Sequence, residues 1–310
     1  MLFRNVVFYR LPMDWSPSAA ELEDRLASRP LRPCGPYDMS TDGWVNVTHG
    51  GRLLHTVGQH QMIALGVDDK LLPASIVRQV ALERADAQAR EQGFPVGRKQ
   101  MRDLRSRVAD ELRTRALTRR RVTRAWFDRS GGWLAIDSPS AKTAERIIET
   151  LRATLGSFVP RPLESDQSPR ATMASWLLRG AAAGPFSIDD DLELQSADQT
   201  KTVIRYLRHP LDGREVRGHI AAGKFPTRLG LTWKDRISFV LTERLEVKRV
   251  EFLELQAETA AADEADPDER FDLDFAVMAG ELGVLLADLA AALTERRGDE
   301  AAWPAQSKVA

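Results

Sequence analysis

Residues 98–124 read RKQMRDLRSRVADELRTRALTRRRVTR, and two patterns run through them together. Met101, Leu104, Val108 and Leu112 recur at steps of three and four, which places apolar side chains on one side of an α-helix. The same stretch carries eleven cations, Arg98, Lys99, Arg102, Arg105, Arg107, Arg113, Arg115, Arg119, Arg120, Arg121 and Arg124, against Asp103, Asp110 and Glu111, a net +8 over 27 residues. The seam predicts a helix from Arg98 to about Ala116. A preceding helix is predicted from a Ser75 N-cap to Gln92, stopped by Gly93, with Phe94-Pro95-Val96-Gly97 as the turn. A hairpin over about 75–116 packs by that seam and leaves Arg98, Arg102 and Arg105 together on a neighbouring face. Such a concentration of like charge disfavours a compact state unless an anion neutralises it. Ten of the eleven cations are Arg, whose planar fork matches phosphate. A solvated helix face is the plainer reading of the same spacing.

The compensating charge lies far away in sequence. Glu251 to Asp274 holds ten acids and one Arg, and the whole chain of 310 residues comes to −1. That length predicts two domains: residues 1–165, bearing the hairpin as an insertion, and residues 166–296, with the acidic segment and a C-terminal helix. The Pro-rich stretch 160–169 is the expected linker, and 297–310 an expected disordered tail. A hydrophobic fraction of 43% and seven Trp supply material for packed cores. The single Cys34 has no partner for a disulfide, which fits a reducing compartment. No leader-like pattern opens the chain. The apolar run 275–293 is broken by Glu281 and Asp288 and does not read as a membrane span. A cytoplasmic protein is expected.

Strands are predicted at 6–11, 44–47, 60–67, 122–128 and 133–137, the last two joined by Ser130-Gly131-Gly132. Ser138-Pro139 resembles an N-cap with Pro at the first helical position, opening a helix that ends at Gly156. Later elements are a helix at 172–179, an acidic turn at Asp189-Asp190-Asp191, and strands at 202–207, 227–233, 236–241 and 246–252. The last helix carries Phe275, Met278, Leu282, Leu285, Leu289 and Leu293, a seam suited to dimerisation or docking, or to packing within one subunit. Strands and helices without βαβ alternation predict an α+β fold with mixed or antiparallel sheets.

Several signals for chemistry fall short. Gly218 to Phe225 is one residue from a P-loop, but Phe225 stands where Ser or Thr would hold Mg²⁺. The order is also reversed, a helix ending at Gly223 before a strand. His49, His55 and His60 match no zinc spacing, and the acidic clusters at 189–191 and 272–274 read as solvated turns or helix starts. No Gly-x-Ser-x-Gly elbow is present. No metal, cofactor or catalytic set is expected. A second basic cluster supports binding instead: Lys201, Arg205, Arg208, Arg214, Arg217, Lys224 and Arg228 face only Asp212 and Glu215 within residues 201–228, with His209 and His219 interspersed. No base-reading motif accompanies either cluster, which favours backbone contact over sequence readout.

Residue strings in order along the chain resemble the RdgC family, the bacterial recombination-associated proteins. They include Phe3-Arg4-Asn5 through Tyr9-Arg10-Leu11, Pro33-Cys34-Gly35, Gly43-Trp44-Val45, Leu71-Leu72-Pro73 and Asp137-Ser138 with Ser140-Ala141-Lys142. Further along come Leu151-Arg152 with Leu155-Gly156-Ser157, His219-Ile220 with Ala222-Gly223-Lys224, Arg270-Phe271-Asp272, Asp274-Phe275, and Met278 with Gly280-Glu281-Leu282. The resemblance implies a two-fold, ring-shaped homodimer that encloses duplex DNA without sequence preference and restrains the RecA recombinase by competing for DNA. It places a gate between subunits at Leu117, where the best-known members carry an aromatic side chain, and a phosphate contact at Arg208 and His209.

The expected function is therefore a non-enzymatic, nucleoid-associated DNA-binding ring, with single-stranded DNA as a further ligand and no membrane partner. Its expected DNA contacts are Arg98, Lys99, Arg102, Arg105, Arg113, Arg115, Arg119, Arg120, Arg121, Arg124, Lys201, Arg208, His209, Lys224 and Arg228. The rival reading is a protein-interaction regulator whose basic stripe docks an acidic partner. An enzyme acting on nucleic acid is the third.

Overall fold

The computed structural model describes residues 2–48, 51–165, 167–253 and 266–294. The expectations for His49, for residues 254–265 of the acidic segment and for the tail at 297–310 lie outside them. The described residues form twelve strands and seven helices, an α+β fold whose strand pairs with assigned register are antiparallel. Two compact units divide the chain: residues 1–17, 55–62 and 125 onward in the first, 18–54 and 63–124 in the second. A break near residue 165 is thus not where the chain divides. The stretch expected as a linker contains β7 (Arg161–Pro162), paired with β1 (Val6–Arg10), and at Pro169 it enters α5 (Pro169–Arg179).

The first unit is built on one sheet whose order is β6-β1-β12-β11-β10-β8-β9. β6 (Trp133–Asp137) pairs with β1 through Phe8 and Ala135, and Val6 meets Val247 of β12 (Val247–Phe252). Pairing the chain's start with a strand about 240 residues later is what defeats a simple cut into halves. β10 (Lys224–Trp233) and β11 (Ile237–Thr242) form a hairpin, with β8 (Phe186–Ser196) and β9 (Val203–Tyr206) beyond. α4 (Ala141–Leu155) and α6 (Arg214–Ala221) also belong to this unit.

Three local expectations change. Asp189, Asp190 and Asp191 lie in the middle of β8, not in a turn. Asp189 accepts a hydrogen bond from the Thr232 hydroxyl, and Gly230 opposite leaves room, since a Cβ there would stand 3.1–3.2 Å from the Cβ atoms of Asp191 and Asp189. Ser138 does not cap α4. Its hydroxyl donates to the Ser140 carbonyl, and Ser140 is the N-cap. Ser75 lies inside α2 (Ala74–Gln92), whose N-cap is Pro73.

The final helix, α7 (Pro267–Thr294), is long and apolar enough to cross a membrane by length and composition. Its apolar side is covered within the chain itself: Phe275, Met278, Leu282, Leu285 and Leu289 are each at most 1% exposed. The docking or dimerisation seam expected at these five residues is corrected to core packing, because a face already filled by its own subunit is not free for a second. Two carboxylates within the apolar run are also engaged, Glu281 with Arg236 and Asp288 with Lys234 and the Trp233 indole N–H.

The second unit contains α1 (Ala19–Ala27), β2 (Ser40–Val45), the larger part of β4 (His60–Lys70), α2, α3 (Arg98–Arg115) and the start of β5 (Thr118–Asp128). β2 pairs antiparallel with β4, Trp44 opposite Leu65. β4 and β5 each continue from one unit into the other. The helical hairpin falls where the seam placed it.

Candidate nucleic-acid interface

α2 ends at Gly93, whose left-handed backbone (φ +80°) stops the helix as its N–H donates to the Ala89 carbonyl. α3 begins after Gly97, whose N–H donates to the Gln100 side chain at 2.9 Å. The helices pack through small and branched residues, Ala81 and Ala85 on α2 and Leu104 and Val108 on α3, all buried. Met101 and Leu112 flank them at half-buried positions. One ion pair crosses the hairpin, Arg84 Nη1 to Glu111 Oε2 at 2.7 Å, and its hydrogen bond holds the Glu111 carboxyl below its ordinary value.

With that seam closed, Arg98, Lys99, Arg102, Arg105 and Arg107 are exposed. Among the described residues no carboxylate stands within ion-pair distance of these five. Arg113 differs: its Nη1 meets Asp110 at 3.1 Å and its side chain is three-quarters covered. Arg115 is exposed and acts electrostatically on Glu111.

The run Arg119-Arg120-Arg121 does not form one patch. β5 starts at Thr118, four residues before the predicted strand, so successive side chains point to opposite faces. Arg120 grips Asp68 with two hydrogen bonds, and Arg121 pairs with Asp69. Arg119 is exposed without a described carboxylate partner. Arg124 is half-buried and donates to the Val47 carbonyl at 3.3 Å. Asp68 is almost fully buried, and the hydrogen bonds from Arg120 hold its carboxyl below the ordinary 3.8.

The second cluster is less basic in space than in sequence. β9 and β10 flank β8, which brings acids from outside residues 201–228 against them. Glu193 takes a hydrogen bond from Arg205 at 2.7 Å and lies 4.0 Å from Arg228. Burial alone would raise the Glu193 carboxyl, yet hydrogen bonds from Arg205 and Thr227 and the charge of Arg228 outweigh it and lower it. Arg208 takes a left-handed backbone (φ +53°), its N–H donating to Asp191 Oδ1, and the His209 N–H donates to the Asp190 carbonyl. Lys201 is exposed and Lys224 half-buried.

Leu117 sits between α3 and β5, 77% exposed, and its carbonyl accepts from the Leu71 N–H. His55 and His60 serve packing. His55 lies 2.8 Å from Asp272 with its ring against Phe271 and Phe275, and His60 accepts from the Trp126 indole. Sequence reasoning missed the pairing of Asp68 and Asp69 with the arginine run, because cross-strand register is not written in either strand alone. It also passed over Phe94, although an aromatic between Gly93 and Pro95 is itself a signal.

The family profile described as "Putative exonuclease, RdgC" matches residues 1–296. A "Recombination-associated protein RdgC" of Dechloromonas aromatica (strain RCB) is 44% identical over 94% of this chain and 97% of that relative. Proteins of the same description from Cupriavidus pinatubonensis (strain JMP 134 / LMG 1197) and Burkholderia ambifaria (strain MC40-6) are 43% and 40% identical, each over 96% of this chain and at least 98% of the relative. Matches of this extent cover both units together, and the chain belongs to the RdgC family.

Proposed function

We propose that this protein is a sequence-independent DNA-binding protein that closes as a two-fold ring around duplex DNA and modulates recombination in the nucleoid by limiting RecA access. The observation that carries the reading is the set of exposed cations on α3, Arg98, Lys99, Arg102, Arg105 and Arg107, lacking described carboxylate partners. Several cations on the strands are instead paired with carboxylates: Arg120 with Asp68, Arg121 with Asp69, Arg205 with Glu193. A phosphate backbone is the complement of such an uncompensated row on the helical hairpin. Lys201, Arg208, His209, Lys224 and Arg228 are secondary contacts in this reading. Leu117 is the gate, its exposed apolar side chain suited to a contact with a second copy.

The experiment is a titration with labelled duplexes of unrelated sequence across salt concentrations. If about five phosphates are neutralised, log K falls against log[salt] with a slope near −4.5, equally for all sequences. Strong preference for one sequence, or a flat salt response, contradicts the proposal. The profile's description supplies the second reading, an exonuclease. Release of nucleotides from end-labelled DNA by the pure protein, abolished by a chelator, would favour it.

A further inference from the structure

We infer that Phe94, at the apex of the basic hairpin, is a stacking platform for an unpaired nucleobase, and that it gives the protein a second mode of binding to single-stranded DNA. This rests on the reading of α3 as a phosphate-binding element. Phe94 is 58% exposed, and among the described residues Tyr37 is the other aromatic among the large hydrophobic side chains left exposed. It is not needed to hold the hairpin, which closes through Ala81, Ala85, Leu104 and Val108. A Phe more than half exposed on the turn of the hairpin is surface that gains from being covered.

The turn holds the residue in place. Gln88 donates to the side-chain oxygen of Gln92, and Gln92 donates to the Phe94 carbonyl at 2.9 Å. Gly93 is locked in the left-handed region below it, Pro95 fixes the next φ, and Gly97 is tied to Gln100. A backbone ordered before binding loses less entropy when a base docks.

The surroundings select the occupant. Arg98 and Lys99 follow four and five residues later, and four residues span at most about 14 Å. A nucleotide whose base lies on the ring therefore has its phosphate within reach of their side chains. Arg90, Arg98, Lys99 and Arg102 are all exposed. An aromatic face flanked by cations is the arrangement that binds single strands with little regard to sequence, because every base has a π-face. Duplex DNA offers its phosphates to the same cations but keeps its bases stacked. The ring should therefore matter for single strands and hardly at all for duplex.

The test compares wild type with Phe94→Ala, Phe94→Leu and Phe94→Trp on three probes at one salt concentration: a labelled dT 20-mer, a blunt 20-base-pair duplex, and phosphatidylglycerol-containing vesicles. Phe94→Ala and Phe94→Leu should each weaken dT binding about tenfold, Phe94→Trp should preserve it, and duplex affinity should stay within about twofold. Unchanged dT binding in the Ala and Leu variants, or a wild type that binds duplex but not dT, overturns this inference and leaves the proposed function standing. Phe94-dependent vesicle binding without an effect on dT overturns it in favour of a membrane surface. A wild type that binds neither nucleic acid removes the proposed function itself.

Discussion

Arg120 Nε and Nη2 each donate to one oxygen of Asp68, at 2.8 and 2.9 Å, so that two parallel bonds clamp a carboxylate whose side chain is 7% exposed. Arg121, next in the chain, points to the other face and meets Asp69, which is more open to solvent. Adjacent arginines of identical chemistry thus have unequal structural duties, decided by strand alternation.

Arg120→Ala leaves a buried carboxylate without its partner and should cost about 1–3 kcal/mol, after discount for the exposure of the arginine itself. Arg121→Ala should stay within about 0.5 kcal/mol. Urea unfolding of each variant measures the difference. Equal losses would mean that the clamp is not what stabilises this region.

The same pair sets a pH response. Hydrogen bonding to Arg120 depresses the folded-state carboxyl of Asp68, so its stabilisation is present above the ordinary 3.8 and is lost as pH falls through the lower folded-state value. Asp68→Asn should flatten the stability–pH curve below about pH 4. Thermal unfolding between pH 2 and pH 5 checks this, and curves that run parallel to wild type would contradict it.

Substitution of Arg102 and Arg105 by Gln should leave stability within about 0.5 kcal/mol, since neither is paired with a described carboxylate. Binding should weaken alike for all duplex sequences, with the salt slope reduced by about one for each phosphate no longer neutralised. The double variant Arg205→Gln, Arg228→Gln should change the slope less, because Glu193 already neutralises part of that charge. A larger effect from the second pair would move the interface from the hairpin to the sheet.

Leu285, on the apolar side of α7, is fully buried. Leu285→Ala should therefore destabilise the subunit by about 2–5 kcal/mol without changing its mass in solution. Dissociation of an otherwise stable dimer would restore the seam as an interface.

The parts of this fold that sequence makes legible are those governed by local rules. The α3 seam, the Gly93 stop and the β6 strand depend on spacing and on backbone chemistry a few residues away. What was not legible depends on partners distant in the chain. Three consecutive aspartates look like a turn until β8 is seen against Thr232 and Gly230. The run Arg119-Arg120-Arg121 looks like one patch until β4 supplies an acid to each of two faces. The seam on α7 has the same periodicity whether it meets its own core or a second subunit, and only burial separates the two. The exposed row on α3 survives because none of the acids on its neighbour α2 stands within ion-pair distance of it; the ion pair across the hairpin runs from Arg84 to Glu111.

The central claim is enclosure of DNA, and the direct measurement is the lifetime of the complex on closed circular against linear duplex, for wild type and Leu117→Asp. If Leu117 forms the proposed gate, the substitution puts a charge into an apolar contact, which is costly to bury, and should open it. With mass in solution confirming a dimer for both proteins, wild type should stay far longer on circles than on linear DNA, and Leu117→Asp should lose that difference. Equal lifetimes on circular DNA for wild type and an open-gate dimer would contradict enclosure, leaving a basic hairpin that rests on DNA from outside.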